Sequence, residues 1–287
     1  KWRPKKMFSW ERLRGLLSYG WKLLVSSLLD TVYNNLRNLI IGKVYTSADL
    51  AYYNQGDKFP KVVVTNINTS IDSVLLPSMS EEQDHANRVK SMTRRAIKTS
   101  TYIMAPLMMG LLFCAEPIVK LLLTDKWLPC VPYLRIFCFT YLFWPIHTAN
   151  LNAVKAMGRS DLFLRLEIIK KAIGLILLLL TMRISVMAMA YSLIVSSIFS
   201  QVANSWPNWK LLNYNYLEQL RDILPSIIIA IGMGVCVYFI GFIPLSTVVT
   251  LMIQIIAGAA IYVGASALLK LEEFEYLLRM IKSFLRK

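Results

Sequence analysis

The chain has 287 residues, of which 56% are hydrophobic and 17% are charged, and its mean hydropathy is +0.49. This composition excludes an ordinary water-soluble domain and favours the lipid bilayer as the solvent of most of the chain. The formal net charge of +15 does not indicate nucleic-acid binding, because the basic residues lie between apolar stretches rather than along one polar surface.

Eight stretches are predicted to be transmembrane helices, since a helix needs about 20 predominantly apolar residues to cross about 30 Å of hydrocarbon. Their approximate limits are 18–42, 60–80, 97–115, 130–153, 161–181, 184–204, 222–242 and 246–269. If the spans alternate from a cytoplasmic start, most basic residues, including Lys155, Lys170 and Lys171, fall on the cytoplasmic side. The positive-inside rule therefore predicts two cytoplasmic ends. The predicted fold is an all-α, polytopic membrane helix bundle of about eight transmembrane helices.

The predicted spans divide the chain into five segments. They are a cytoplasmic basic amphipathic linker (1–17), a six-helix lobe (18–204), a cytoplasmic connection (205–221), two additional transmembrane helices (222–269) and an amphipathic basic tail (270–287). The tail is expected to lie on the cytoplasmic membrane surface. Because the chain begins with Lys1 and no signal peptide precedes the first span, we expect it to be part of a longer chain.

The first span carries polar residues in its middle, within the stretch SSLLDTVYNNLRNLIIG. At 100° per residue, Asp30, Asn34 and Arg37 share one face of a helix, and Tyr33 and Asn38 flank that face. A charge at the bilayer centre costs about 2.5 to 3.5 kcal/mol on insertion scales, so this face is predicted to avoid lipid. Either Asp30 and Arg37 pair and hold the helix in its bundle, or they line a solvated cavity through which a polar substrate moves.

The second span contains the polar stretch TNINTSIDSVLLPS. Asn66 and Ser70 share one helix face, and for each of them alone interhelical hydrogen bonding is the simpler interpretation. Asp72 lies on an adjoining face, and an intramembrane carboxylate is a candidate for proton or cation coupling. The alternative is that Asp72 lies close enough to a membrane surface to be solvated.

The fourth span is interrupted by polar residues and by Pro145, which is able to kink a helix. Arg135, near the predicted external end, either lines a cavity or extends to the membrane surface. We interpret His147 as a buried, hydrogen-bonded residue. No metal site is predicted, because the histidines are isolated and the four cysteines lack the spacing of metal ligands.

The sequence contains none of the motifs that indicate a catalytic or nucleotide-binding domain. A Walker A sequence and a dinucleotide-binding glycine fingerprint are absent. The GxSxG motif, which forms the nucleophile elbow of α/β-hydrolases, is absent as well. Long polar segments that could form a soluble catalytic domain are absent as well. The sequence therefore predicts neither an ATP-driven transporter nor an enzyme, and no cofactor is expected.

Four stretches, in chain order, carry a resemblance to a known family. They are IIGKVYTSADLAYYNQGDKFP (40–60), VLLPSMSEEQ (74–83), CAEPIVKLLLTDKWLPCVPYLRI (114–136) and NAVKAMGRSDLFLRLEIIKK (152–171). Together they resemble bacterial polysaccharide flippases, the Wzx-type O-antigen and lipopolysaccharide biosynthesis proteins of the MATE-like MOP superfamily. The resemblance implies about twelve to fourteen helices in two pseudo-symmetric halves around a central cavity. This chain would then be the second half with two extra helices.

The resemblance also implies an activity, which is the flipping of an undecaprenyl-diphosphate-linked oligosaccharide across the bacterial inner membrane by ion-coupled alternating access. Such transport would serve O-antigen, capsule or exopolysaccharide synthesis. The expected partners are this lipid-linked oligosaccharide, membrane lipids, and polysaccharide polymerase and chain-length proteins, with no nucleic acid.

The candidate site residues come from helix geometry rather than from a family motif. The substrate-binding candidates are Arg37, Asn34, Asn38, Tyr33, Asn66, Ser70 and Arg135. Arg37 is the leading contact for a diphosphate or an acidic sugar, because guanidinium groups bind such anions in a bidentate manner. Asp30 and Asp72 are candidates for ion coupling or for orienting Arg37.

Two other functions stay open from the sequence. The first is a MATE-like multidrug or cation-coupled exporter, which would share the fold but would need an aromatic, acidic cavity for lipophilic cations. The second is a noncatalytic membrane scaffold that holds a polysaccharide assembly complex together. A scaffold gives no reason for the polar face of the first span, so a cavity along that face would count against it.

Overall fold

The computed structural model describes residues 9–285, without the side chains of Tyr19, Asp30, Asn34, Phe284 and Leu285. Within residues 9–285 the protein has eleven α-helices, one short 3₁₀ helix and no strand. The α-helices are α1 (Trp10–Val44), α2 (Ser47–Glu81), α3 (Ala86–Phe113), α4 (Ala115–Leu123), α5 (Val131–Leu142), α6 (Trp144–Ala156), α7 (Ser160–Thr181), α8 (Val186–Leu212), α9 (Tyr216–Ile240), α10 (Thr247–Leu268) and α11 (Glu272–Leu285). The 3₁₀ helix is Asp125–Cys130.

The starts of the two longest helices are fixed by side-chain caps. The Ser9 hydroxyl accepts a hydrogen bond from the Arg12 backbone N–H at the start of α1. At the start of α2, Thr46 and Asp49 form a capping box in which each side chain accepts from the backbone N–H of the other. Each helix has 35 residues and is therefore about 52 Å long. Both helices extend beyond the hydrocarbon layer of a bilayer, which is about 30 Å thick.

Each predicted span coincides with helix, and the fourth one is divided. The stretch 130–153 forms α5 and α6, which are separated at Phe143. Pro145 lies in the first turn of α6, where a proline is tolerated because its missing N–H would have no helical partner. The kink predicted near Pro145 is therefore confirmed as a break between two helices. The sequence did not predict α4, a separate nine-residue helix.

Four helices of the described part, α3, α8, α9 and α10, are long and apolar enough to cross a membrane by length and composition. Helices α1, α2 and α7 are also at least 22 residues long, but they carry the polar residues discussed above. Together with the all-helical architecture, these helices confirm the predicted all-α, polytopic membrane bundle.

Two of the predicted segments have different limits in the structure. Helix α1 begins at Trp10, so the part of the 1–17 linker from that residue onwards is continuous with the first span, while residues 1–8 lie outside the described part. The connection predicted at 205–221 is mostly helical, because only residues 213–215 separate α8 from α9. The sequence suggested a longer loop because this region is polar. The amide side chains of Asn208 and Gln219 are instead buried between helices.

The two additional C-terminal helices pack through small residues. A Cβ atom at Gly234 of α9 would lie 2.2 Å from the Phe113 ring at the end of α3. On α10, a Cβ atom at Gly258 would lie 3.2 Å from Val237 of α9. Gly234 and Gly258 therefore allow the helices to pack closely, whereas a Cβ atom at Gly232 would have no neighbour within 4 Å.

Helix α11 is attached to the opposite end of α3 by charged residues. The Lys98 ammonium lies 2.6 Å from the Glu272 carboxylate and 2.9 Å from the Glu273 carboxylate, and Arg95 lies 5.2 Å from the ring centroid of Tyr276. The hydrogen bond from Lys98 lowers the pKa of Glu272 below its ordinary value. This ion pair should consequently persist into mildly acidic solution and be lost as the pH falls through the lowered pKa.

A first prediction concerns the close approach of α2 to α5 at Gly56. A Cβ atom there would lie 2.6 Å from the Tyr133 Cβ and 2.9 Å from the Leu134 backbone nitrogen. Because neither atom can rotate away, we expect Gly56→Ala to lower the free energy of unfolding by about 1 to 3 kcal/mol. The matched control is Gly232→Ala, which places the same methyl group in open space and should be neutral or stabilising. Thermal unfolding in detergent tests both variants, and equal melting temperatures would contradict the prediction.

Candidate functional site

A cavity of about 560 Å³ lies among α1, α2, α5, α6, α7 and α8. Most of the side chains that line it are polar, although they project from membrane-spanning helices. The hydroxyl-bearing residues of its wall are Ser26, Ser27, Thr31, Tyr33, Thr140, Tyr141, Thr148, Ser196, Ser197 and Ser200. Amide, imidazole and charged side chains complete the polar surface. We regard this cavity as the candidate substrate site.

Three lysines form a basic wall of the cavity. Lys155 belongs to α6, and Lys170 and Lys171 belong to α7. The Lys171 ammonium lies 4.8 Å from the ring centroid of Tyr33, and the Lys155 ammonium lies 4.7 Å from that of Phe163. Such cation–π contacts attract an ammonium group to the ring face and help to hold it in place.

Two carboxylates also line the cavity. Glu167 accepts a hydrogen bond from Lys170 one turn along α7, and both side chains are largely buried. Asp72 of α2 accepts a hydrogen bond of 2.6 Å from the side-chain amide of Asn152 on α6. The described lining residues therefore include three lysines and two carboxylates.

The prediction that His147 is hydrogen-bonded is confirmed. Its Nδ1 lies 2.9 Å from the Nδ2 of Asn204 on α8, and both residues line the cavity. The Asn204 Oδ1 atom is buried and has no hydrogen-bond partner among the described residues. The wall between α6 and α8 thus contains a fully buried acceptor next to the cavity.

Arg37, the leading anion contact from the sequence, lies beside the cavity rather than in its lining. Its side chain is only 4% exposed, and it donates hydrogen bonds to the Met189 backbone carbonyl of α8 and, at 3.3 Å, to the Tyr33 hydroxyl. Tyr33 does line the cavity and contacts both Arg37 and Lys171. The Arg37 guanidinium is therefore engaged in packing α1 against α8, and its role as a substrate contact stays a prediction.

Three further candidates lie on α1 and α2, namely Asn38, Asn66 and Ser70. Asn66 and Ser70 are exposed, and each donates a hydrogen bond to the backbone of its own helix. Asn38 is half-buried. None of these three residues lines the cavity as the structure describes it, so their proposed contacts with substrate stay predictions. Asp72 is the α2 candidate that lies at the cavity surface.

The remaining candidates lie outside the cavity or outside the described residues. Arg135 is exposed and lines a second, smaller groove between α4, α5, α9 and α10. The side chains of Asp30 and Asn34 are outside the described part of the chain. The ion-coupling role of Asp30 and the choice between a pair with Arg37 and a cavity lining therefore stay open.

Sequence reasoning missed the lysines of α7, because Lys170 and Lys171 were assigned to the cytoplasmic side of the fifth span. Helix α7 begins at Ser160, which puts both lysines in its third and fourth turns. The spacing of Glu167 and Lys170, three residues apart on one helix face, was the available signal.

A buried amide cluster adjoins the cavity and was also missed. Asn150 of α6 donates a hydrogen bond of 2.7 Å to Gln219 of α9 and accepts one of 2.6 Å from Asn208 of α8. Ser205 donates to the same Gln219 oxygen at 3.0 Å. These side chains are at most 1% exposed. The cluster attaches the first turn of α9 to the cavity wall, although the sequence suggested that Gln219 lay in a connection.

Among the described residues, no group of three or more histidine, cysteine, aspartate or glutamate side chains is arranged to hold a metal ion. The cysteines are free thiols, and Cys236 is the exposed one of the four. The chemistry available to the cavity is therefore binding through charge, hydrogen bonds and aromatic rings.

Comparisons with known proteins agree with this architecture. Residues 1–132 match a family described as polysaccharide biosynthesis protein. The teichuronic acid biosynthesis protein TuaB of Bacillus subtilis (strain 168) is 21% identical over 267 residues, which cover 91% of this chain and 55% of TuaB. The succinoglycan biosynthesis transport protein ExoT of Rhizobium meliloti (strain 1021) is 21% identical over 140 residues, which cover 49% of this chain and 28% of ExoT. The resemblance to the polysaccharide flippases is confirmed.

The fold has a solved counterpart in the lipid II flippase MurJ in its inward closed conformation. The two superpose with a TM-score of 0.74 at 15% sequence identity, over 92% of this chain and 56% of MurJ. The chain thus has a flippase fold and spans about half the length of TuaB and of MurJ. These relatives are named for polysaccharide biosynthesis, for transport and for the flipping of a lipid.

Proposed function

We propose that the protein moves a lipid-linked, anionic oligosaccharide across the bacterial inner membrane, with the headgroup of the cargo passing through the cavity. The observation that carries this proposal is the combination of three lysines on one wall, from α6 and α7, with hydroxyl and amide groups on the other walls. The cargo that fits best is an oligosaccharide joined to its lipid by a diphosphate, as in undecaprenyl-diphosphate-linked precursors.

Charge supports an anionic headgroup. Lysine binds phosphate as a compact point charge, and hydrogen bonds to ionised groups are about twice as strong as neutral ones. Lys155 and Lys171 are held at the cavity surface by aromatic rings, so they are oriented before a substrate arrives. Lys170 is next to Glu167 and would exchange this partner for the anion only at a cost.

The neutral lining supports a sugar. Serine and threonine hydroxyls donate and accept hydrogen bonds, as the hydroxyls of a sugar do, and amides offer both kinds of group at once. The cavity volume of about 560 Å³ lies within the range of about 300 to 1,000 Å³ that is usual for small-molecule sites. It would hold a diphosphate with the first sugars of a longer oligosaccharide.

We extend the proposal to the coupling of transport to an ion gradient, to the orientation of the protein in the membrane and to its partners. Asp72 is our coupling candidate, because it is exposed at the cavity and its hydrogen bond to Asn152 connects α2 with α6. Binding of a coupling ion at this carboxylate would compete with that hydrogen bond and so link an ion gradient to helix movement. Both chain ends would be cytoplasmic, and polysaccharide polymerase and chain-length proteins would act on the same cargo.

The two alternative functions fit the cavity less well. Lipophilic cations, the cargo of a multidrug exporter, would be repelled by a basic wall, and the described lining residues include more lysines than carboxylates. A scaffold would have no use for a polar cavity between membrane helices. The test below distinguishes all three functions.

The test is expression of the protein, with any flanking sequence that its gene encodes, in a bacterial strain that lacks its own polysaccharide flippase. Surface polysaccharide would be scored with a panel of lipid-linked glycans, and sensitivity to lipophilic cations would be measured in parallel. We expect restored polysaccharide with at least one glycan and unchanged drug sensitivity. Drug resistance without polysaccharide would favour the exporter. Co-purification with polysaccharide enzymes, without either activity, would favour the scaffold.

A further inference from the structure

A second groove, of about 270 Å³, lies where α9 ends and α10 begins. Its walls come from the end of α3, from α4, from α5 and from the turn between α9 and α10. It shares no lining residue with the substrate cavity. Any ligand of this groove is therefore independent of the proposed transport site.

Two polar groups in this groove lack partners. Arg135 of α5 is exposed, and its guanidinium has no hydrogen bond or ion pair with any residue in 9–285 that the structure describes. Gln254 of α10 is 3% exposed, and its Nε2 donates a hydrogen bond of 3.0 Å to the Val237 carbonyl. This hydrogen bond fixes the orientation of the amide and leaves the buried Oε1 without a donor within the described chain. The groove thus offers one unpaired cation and one unpaired acceptor.

The other lining residues restrict the ligand. Lys120 and Glu116 form an ion pair of 3.0 Å on α4 and largely neutralise each other. The aromatic residues Phe113, Tyr238 and Phe242 also line the groove. Aromatic residues are typical of the boundary between hydrocarbon and headgroups in a membrane. The groove therefore combines a local positive charge with the surroundings of a lipid headgroup.

Exposed apolar side chains continue from the groove along the outside of the bundle. Phe242 is 69% exposed in the turn, and Val248 is 52% exposed on α10. A soluble anion would gain nothing from this surface, whereas the acyl chains of a lipid would cover it. This continuity between a cationic groove and an apolar surface argues for a membrane lipid as the occupant.

We propose that this groove binds an anionic phospholipid whose headgroup carries a hydroxyl, of the phosphatidylglycerol type. The phosphate is paired with Arg135, since a guanidinium matches phosphate oxygens in geometry and charge. A headgroup hydroxyl donates its hydrogen bond to the Gln254 Oε1 atom and satisfies this buried acceptor. A zwitterionic choline headgroup has no hydroxyl to donate and brings a second cation next to Arg135.

The test is lipid binding by the purified protein in neutral detergent, followed by native mass spectrometry and by thermal unfolding. Phosphatidylglycerol should bind about tenfold more tightly than phosphatidylcholine, and Arg135→Gln should remove about that factor. Gln254→Leu should weaken phosphatidylglycerol but not phosphatidic acid, which lacks the headgroup hydroxyl. Lys126→Gln is the matched control, because Lys126 is an exposed cation near the same end that does not line the groove.

Three results would overturn the proposal. One is equal binding of phosphatidylglycerol and phosphatidylcholine. Another is an equal loss of binding in Lys126→Gln and Arg135→Gln, which would indicate nonspecific attraction. The third is stabilisation by inorganic phosphate as large as that by the lipid, which would indicate a soluble anion. If Gln254→Leu does not fold, the affinity of Arg135→Gln for phosphatidylglycerol still tests the proposal, because Arg135 is exposed.

Discussion

Replacing Lys171 by glutamine should slow the translocation of a diphosphate-linked substrate about tenfold or more, because a hydrogen bond to a charged group contributes about 1.5 to 3 kcal/mol. The lysine side chain is half-buried and its ammonium lies against Tyr33 at the cavity surface, so the amount of folded protein is measured together with the rate. The measurement is the rate at which a fluorescent lipid-linked oligosaccharide becomes accessible on the far side of reconstituted vesicles.

The matched control for Lys171→Gln is Arg165→Gln. Arg165 lies on the same helix, is exposed and does not line the cavity, so the change removes the same charge from α7 without altering the site. If both variants slow translocation equally, the charge of α7 matters and its position at the cavity does not. A normal rate for Lys171→Gln would remove the lysine wall from the proposed mechanism.

Replacing Arg37 by alanine should instead destabilise the protein. The side chain is 4% exposed and donates to the Met189 carbonyl and the Tyr33 hydroxyl, so its loss leaves a buried space and removes both hydrogen bonds. We expect the free energy of unfolding to fall by about 2 to 4 kcal/mol. The measurement is the melting temperature in detergent together with the amount of protein in the membrane.

Lys43→Ala is the matched control for Arg37→Ala, because Lys43 is an exposed cation on the same helix. It should leave both quantities unchanged. If Arg37→Ala folds as well as the control and still loses translocation, the guanidinium acts on the substrate, as the sequence alone suggested. The two variants at positions 37 and 171 therefore separate a structural cation from a substrate-binding one.

The helices were predictable because a transmembrane helix is indicated by a continuous stretch of the sequence. A run of about 20 apolar residues can only span a membrane or lie in a large core, and the helices coincide with all eight predicted spans. The break at Phe143 was foreseen from Pro145 for the same local reason. Helix α4 was not foreseen, since nine residues are too few for a membrane-spanning pattern.

The candidate site was less predictable, because it depends on which helices meet. Periodicity identified the polar face of α1, but it could not show that Arg37 would face α8 while Tyr33 would face the cavity. Lys171 reaches the cavity because α7 packs closely on α1, where Tyr33 lies against Gly174. A Cβ atom at that glycine would be 2.4 Å from the Tyr33 hydroxyl. Contacts of this kind cannot be predicted from the spacing of residues along either helix alone.

The break between α5 and α6 has a consequence for water. A helix end leaves backbone N–H and C=O groups without partners inside the helix, and such groups occur at membrane depth only where protein or a hydrated cavity satisfies them. Trp144 and His147, in the first turn of α6, both line the cavity. The cavity is thus where water can reach the backbone groups beside this break, and a sugar headgroup entering it would exchange hydrogen bonds with water rather than displace hydrocarbon.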